Sequence, residues 1–108
     1  MKEIIIAFDI DGTLISNTNG LGLEKLNTGT YNLMVLLSRM KNTKIICWSG
    51  GGKEYCEQIV KKYGLTGEVD SCYGKHEYDE TVSGKVDIAF DDQHEFSLAD
   101  KNIIVRNK

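Results

Sequence analysis

Ile4-Ile5-Ile6-Ala7-Phe8-Asp9-Ile10-Asp11-Gly12-Thr13 joins two kinds of sequence in ten residues. Its first half is β-branched and apolar with no polar alternation, the pattern of a strand buried on both faces of a parallel sheet. Its second half sets two carboxylates, a glycine and a hydroxyl where that strand ends. A strand of this kind belongs in the middle of a sheet, and its polar end belongs at the rim where open α/β sheets bind ligands.

The same apolar character recurs outward from it. Lys44-Ile45-Ile46-Cys47-Trp48 and Val86-Asp87-Ile88-Ala89-Phe90 predict two further strands, Ile103-Ile104-Val105 a fourth, and residues 68–73 a weaker fifth. Between the first two runs Tyr31, Met34, Val35, Leu37 and Met40, with Leu33 and Leu36, recur at helical spacing. They predict a helix over 30–41 with Thr28 or Thr30 as its cap. A second helix is predicted over 53–63, burying Tyr55, Ile59, Val60 and Tyr63 and stopping at Gly64, which can take the left-handed terminating position. Strand alternating with helix implies right-handed crossovers and a three-layer α/β/α arrangement around a parallel sheet. Residues 14–27, rich in Asn, Thr and Gly, carry Asn19-Gly20 as a type I′ turn requires and read as a short hairpin. The polar segment 76–84 has room for one helical turn.

The chain has 108 residues, 41% of them apolar, enough for one core and no second folded unit, so a single domain over 1–108 is expected. Thirteen Lys+Arg against sixteen Asp+Glu give a net charge of −3, and neither sign forms a long block. Duplex nucleic-acid binding by charge is therefore disfavoured. No apolar run near either end approaches the roughly 20 residues that span a bilayer, so no membrane association is expected. Three cysteines, Cys47, Cys56 and Cys72, without CxxC spacing or an N-terminal signal pattern, fit a reducing cytoplasm. They and Trp48 read as core packing. His76 and His94 lack metal-ligand spacing and read as surface or structural residues.

The polar residues that follow each apolar run form a consistent set. Asp9 and Asp11 follow 4–8; Ser49 and Gly50-Gly51-Gly52 follow 44–48; Gly74 and Lys75 follow the weaker strand; Asp91 and Asp92 follow 86–90. Converging carboxylates repel one another unless a cation sits among them, and hard oxygen donors without cysteine or paired histidine select Mg²⁺ over Zn²⁺. Magnesium held this way keeps positions open for a substrate phosphate, to which Ser49 and Lys75 would add a hydrogen bond and a positive charge. The chemistry implied is phosphoryl transfer. Asp9 has the placement of a carboxylate nucleophile, and Asp11, two residues on, that of an acid for the leaving group.

These residues resemble the haloacid dehalogenase superfamily of phosphohydrolases. Asp9-Ile10-Asp11-Gly12-Thr13 after a buried strand looks like its first signature, Ser49 its second, and Asp91-Asp92 its acidic fourth. The third is a lone lysine, for which Lys75 is the choice; Lys85 competes but precedes a strand. The resemblance spans about residues 2–92. It implies a Rossmann-like fold, Asp9 as nucleophile and Mg²⁺ ligand, and Asp11 as general acid/base lending its carbonyl to the metal. Ser49 and Gly50 would bind the phosphoryl group and Lys75 would offset its charge. Asp91 would complete the metal shell, with Asp92 and Thr13 in support. The larger members insert a cap domain, for which the intervals 14–27 and 53–68 are too short. A capless site implies a bulky or macromolecular phosphorylated substrate, or a partner or second copy that closes it. The rival reading is a catalytically idle phosphoacceptor or Mg²⁺-binding module, which would need no acid two residues after the acceptor.

Overall fold

The apolar run at 4–8 becomes the centre of the sheet. In the computed structural model, which describes residues 3–16, 25–92 and 99–105, the elements are β1 (Ile4–Asp9), α1 (Thr28–Ser38), β2 (Thr43–Ser49), α2 (Lys53–Lys62), β3 (Ser71–Gly74), α3 (Glu80–Ser83), β4 (Ile88–Asp91) and β5 (Lys101–Ile104). They form an α/β fold around a five-stranded sheet of order β3-β2-β1-β4-β5, every pairing parallel. With two strands on each side of it, β1 is covered on both faces, which is why its sequence shows no alternation.

One face carries Ile6, Phe8, Ile45, Cys47 and Phe90, packed with Met34 of α1 and with Cys56, Ile59 and Val60 of α2. The Phe8 and Phe90 rings stack there at 4.8 Å between centroids. The other face carries Ile5, Ala7, Ile46, Trp48, Val86 and Ala89, covered by Tyr73, Tyr78 and Ala99. Both long helices lie on one face because β1-α1-β2 and β2-α2-β3 step the same way across the sheet, and right-handed crossovers keep them on one side. The return from β3 to β4 runs over the opposite face. Among the described residues that face is covered by a loop, and the single turn α3 buries no residue, so the parallel α/β sheet is as expected while a second helical layer is not seen.

Several boundaries differ from the sequence expectation, each for a local reason. Asn27, not Thr28 or Thr30, caps α1: its side chain accepts from Thr30 N at 3.4 Å and donates to Thr13 O at 3.1 Å. The helix stops at Ser38, whose hydroxyl donates to the Val35 carbonyl at 2.7 Å, and the chain then turns through Asn42 at φ 60°. Met40 is thereby left outside the helix and exposed, and of the apolar stripe only Met34 is fully buried. β3 and β4 begin later than predicted because Asp70 and Asp87 occupy their approaches. Their carboxylates accept from Ile45 N at 2.8 Å and Ile5 N at 2.9 Å, doing with side chains what a ladder carbonyl would do. β5 starts two residues earlier than predicted, pairing Lys101 with Ile88. The flanks of the predicted hairpin pair antiparallel, Ile15 with Leu26, while Asn19-Gly20 lies outside the described residues. As expected, α2 ends before Gly64, which sits at φ +68°. Among the described residues no helix is long and apolar enough to cross a membrane.

Met34 is the apolar anchor by which α1 holds the sheet. Met34→Ala should lower stability by about 2–5 kcal/mol through lost burial and a residual cavity, whereas Leu36→Ala, at a position 63% exposed, should stay within about 0.5 kcal/mol. Denaturant midpoints at unchanged slope measure both.

Candidate functional site

Parallel pairing brings the carboxyl ends of the strands to one rim. Across it stand Lys75 after β3, Ser49 at the end of β2, Asp9 at the end of β1, and Asp91 at the end of β4. The register Phe8↔Phe90 sets Asp9 beside Asp91. The chain leaves β1 toward β2 and reaches β4 only on its return, so β1 and β4 flank the point where the strand order reverses. Crevices in open α/β sheets form at such a point.

Lys75 follows the end of β3, two strands from Asp9. Its amide donates to the Ser49 carbonyl at 2.8 Å, which bends the chain over the end of β2. From there its ammonium donates to Asp91 Oδ2 and lies 3.8 Å from Asp9 Oδ1, with both carboxylates and the ammonium buried. Lys85, by contrast, is exposed, stands before β4 at the opposite end of the sheet, and pairs with Asp100 at 2.8 Å.

Carboxylate oxygens of Asp9, Asp91 and Asp92 lie within 4.8 Å of one another. Gly12 makes room for this. It sits at φ +80°, and a Cβ there would come within 2.1 Å of Asp92 Oδ2. Thr13, fully buried, directs its hydroxyl at Asp9 Oδ2 from 3.5 Å. Three carboxylates against one ammonium leave the cluster two negative charges in excess when all are ionised. Burial, then the Asp91 charge, pushes Asp9 up from 3.8 to about 8, against the opposing pull of Lys75 and with Asp92 adding to the rise. Asp92 is raised as well, first by burial and then by its hydrogen bond with Asp91. Three converging carboxylates offer the hard oxygen donors that could hold a metal ion.

The remaining expected residues lie around this cluster. Asp11 is exposed at the mouth of the site and its side chain is not in the cluster; Asp92, expected only in support, supplies the third carboxylate. Asp11 Oδ1 instead accepts from the Tyr55 hydroxyl at 2.6 Å. Ser49 is buried, its hydroxyl accepting from Gly51 N at 3.0 Å, and Gly50 is exposed with open space where a side chain would be. Sequence reasoning placed Tyr55 in the core. It is half-buried, and no local signal marks its hydroxyl as a partner for Asp11.

The raised Asp9 has a definite consequence for stability. The native protein holds a proton there that the unfolded chain gives up near pH 4, so stability from this group is fully present below that pH and is lost as pH rises toward about 8. In chelator-treated protein the melting temperature should fall between pH 5 and 8, and Asp9→Asn should flatten that slope. A slope unchanged by the substitution would locate the titration elsewhere.

Set against protein-family models, curated proteins and solved structures, the chain matches none.

Proposed function

We propose that the chain is a Mg²⁺-dependent phosphohydrolase or phosphotransferase of the haloacid dehalogenase type, a capless Rossmann-like domain over residues 1–108 with Asp9 as nucleophile. One observation carries the reading: Asp9, Asp91 and Asp92 converge at the strand-order reversal with Lys75 among them. Asp9, Asp91 and Asp92 would hold Mg²⁺, with the Asp11 carbonyl that the resemblance adds. Bound there, the cation supplies charge stabilisation of the phosphoryl oxygens and relieves the carboxylate repulsion.

The chain's own groups then divide the work. Ser49 and Lys75 bind phosphoryl oxygens, and Thr13 orients the Asp9 carboxylate. An electron pair of Asp9 forms the O–P bond of an aspartyl phosphate while the bond to the leaving group breaks. Asp11 gives its proton to the departing oxygen. Water then attacks phosphorus, its proton passing to Asp11, which restores both carboxyl groups and releases phosphate. A site open at Asp11 suits a bulky or macromolecular phosphate, or closure by a partner or second copy. The three free cysteines agree with a reducing cytoplasm.

The test is phosphate release from an aryl phosphate with and without Mg²⁺. Asp9→Asn should abolish turnover, Asp11→Asn should lower it roughly 10²–10⁴-fold, and Lys75→Ala should weaken it strongly while Lys85→Ala leaves it unchanged. A rise in melting temperature on adding Mg²⁺, without turnover of any phosphorylated compound, would sink the enzyme and leave the phosphoacceptor module.

A further inference from the structure

Tyr55 belongs to the first turn of α2 and reaches Asp11 across 44 residues of sequence. Its ring is held from two directions. On one side it packs against the core cluster that α2 shares with the sheet. On the other it lies against the loop that carries Ser49: a Cβ at Gly51 would stand 3.1 Å from the Tyr55 ring and 3.4 Å from Ser49 Oγ. The bare backbone at Gly51 is what lets ring and loop meet. From this seat the hydroxyl donates to Asp11 Oδ1 at 2.6 Å, a short bond with good reach for a neutral donor to a carboxyl oxygen. Asp11 is an exposed side chain on the turn after β1. A proton donor must stand within hydrogen-bond reach of the atom it serves, and small misplacements are costly in rate.

We propose that Tyr55 is the positioning residue for Asp11, fixing that carboxyl in the orientation from which it exchanges a proton with the leaving group and with water. The inference rests on the phosphohydrolase reading. The hydroxyl occupies Oδ1 and leaves Oδ2 to carry the proton. Oδ1 accepts whether Asp11 is a carboxylate or a carboxylic acid, so the bond persists as the proton leaves and returns. Tyr55 keeps its own proton throughout and touches neither substrate nor phosphorus.

Tyr55→Phe removes the hydroxyl and keeps the ring that meets Gly51 and the core. Its effect is read on two substrates, 4-nitrophenyl phosphate, whose leaving group departs without help, and ethyl phosphate, whose alkoxide needs a proton. The expected result is a fall in kcat of about tenfold or more on ethyl phosphate, a distinctly smaller fall on 4-nitrophenyl phosphate, for which Asp11 has only the proton of water to take, and a melting temperature equal to that of the unaltered protein. Added to Asp11→Asn, Tyr55→Phe should cost nothing further, because it acts through the group already lost. Equal losses on both substrates, losses that add to those of Asp11→Asn, or no loss on either would overturn the assignment. If the unaltered protein turns over neither substrate, or Asp9→Asn stays active, the phosphohydrolase reading falls and this inference with it. If Asp9→Asn and Asp11→Asn behave as expected and Tyr55→Phe does not, this inference alone falls.

Discussion

Carboxylates at the ends of β1 and β4 come within 4.8 Å of one another where little water reaches them, and much of the surrounding structure follows from making that tolerable. Bringing like charges together in a buried place opposes folding, and apolar residues in the same positions would serve stability better. Lys75 offsets part of the repulsion, and it reaches the cluster only because its amide bends the chain over the end of β2 onto the Ser49 carbonyl. Gly12 has to lack a side chain for Asp92 to come close. Asp9 answers the remaining excess by holding its proton to about pH 8. A cluster built at such cost, with two negative charges left over when ionised, could hold a metal ion, and on that the proposed chemistry rests.

The parts of the fold that could be read from sequence are those whose surroundings are uniform. β1 and β2 are covered on both faces, so within Ile4–Asp9 and Thr43–Ser49 they carry the apolar runs 4–8 and 45–48, short and rich in β-branched residues as buried strands are. α2 has one buried stripe, Cys56, Ile59 and Val60, and a glycine at its end. α1 was harder to delimit because it carries more apolar residues than it buries. Leu33, Leu36 and Met40 extend the pattern while remaining exposed, and the true end is set by the Ser38 hydroxyl. The beginnings of β3 and β4 depend on Asp70 and Asp87 binding amides of neighbouring strands, which are tertiary contacts that a window of sequence does not contain. Strand order has the same character, since it is decided by where β4 returns relative to β1.

For the site, the rule that ligands gather at strand ends found Asp9, Ser49, Lys75 and Asp91, because each directly follows or closes an apolar run and parallel pairing brings those ends together. Which carboxylates meet was a finer question. Spacing drew attention to Asp9 and Asp11, yet the turn that begins at Ile10 carries Asp11 out to the mouth while Asp92 moves in over Gly12. Tyr55 could not be found this way. Aromatic residues at helical spacing read as core, and its ring does contact the core; only the hydroxyl departs from that role, through a contact made by the packing of α2 against the sheet.

The turn after β1 is held by its own bonds, Gly12 N to Ile15 O and Leu14 N to Ile10 O, and from three separate elements. Asn27 at the start of α1 donates to the Thr13 carbonyl, Asp92 after β4 closes over Gly12, and Tyr55 in α2 binds Asp11. The turn also meets the Asp9 carboxylate directly, through the Thr13 hydroxyl 3.5 Å from Oδ2. Two residues apart, Asp9 and Asp11 thus end in opposite surroundings, one enclosed among carboxylates and the other at the solvent boundary. In the phosphohydrolase reading that division suits the reaction. The proposed nucleophile, Asp9, is buried, and the proposed proton carrier, Asp11, is exposed, where it would meet a leaving group and water.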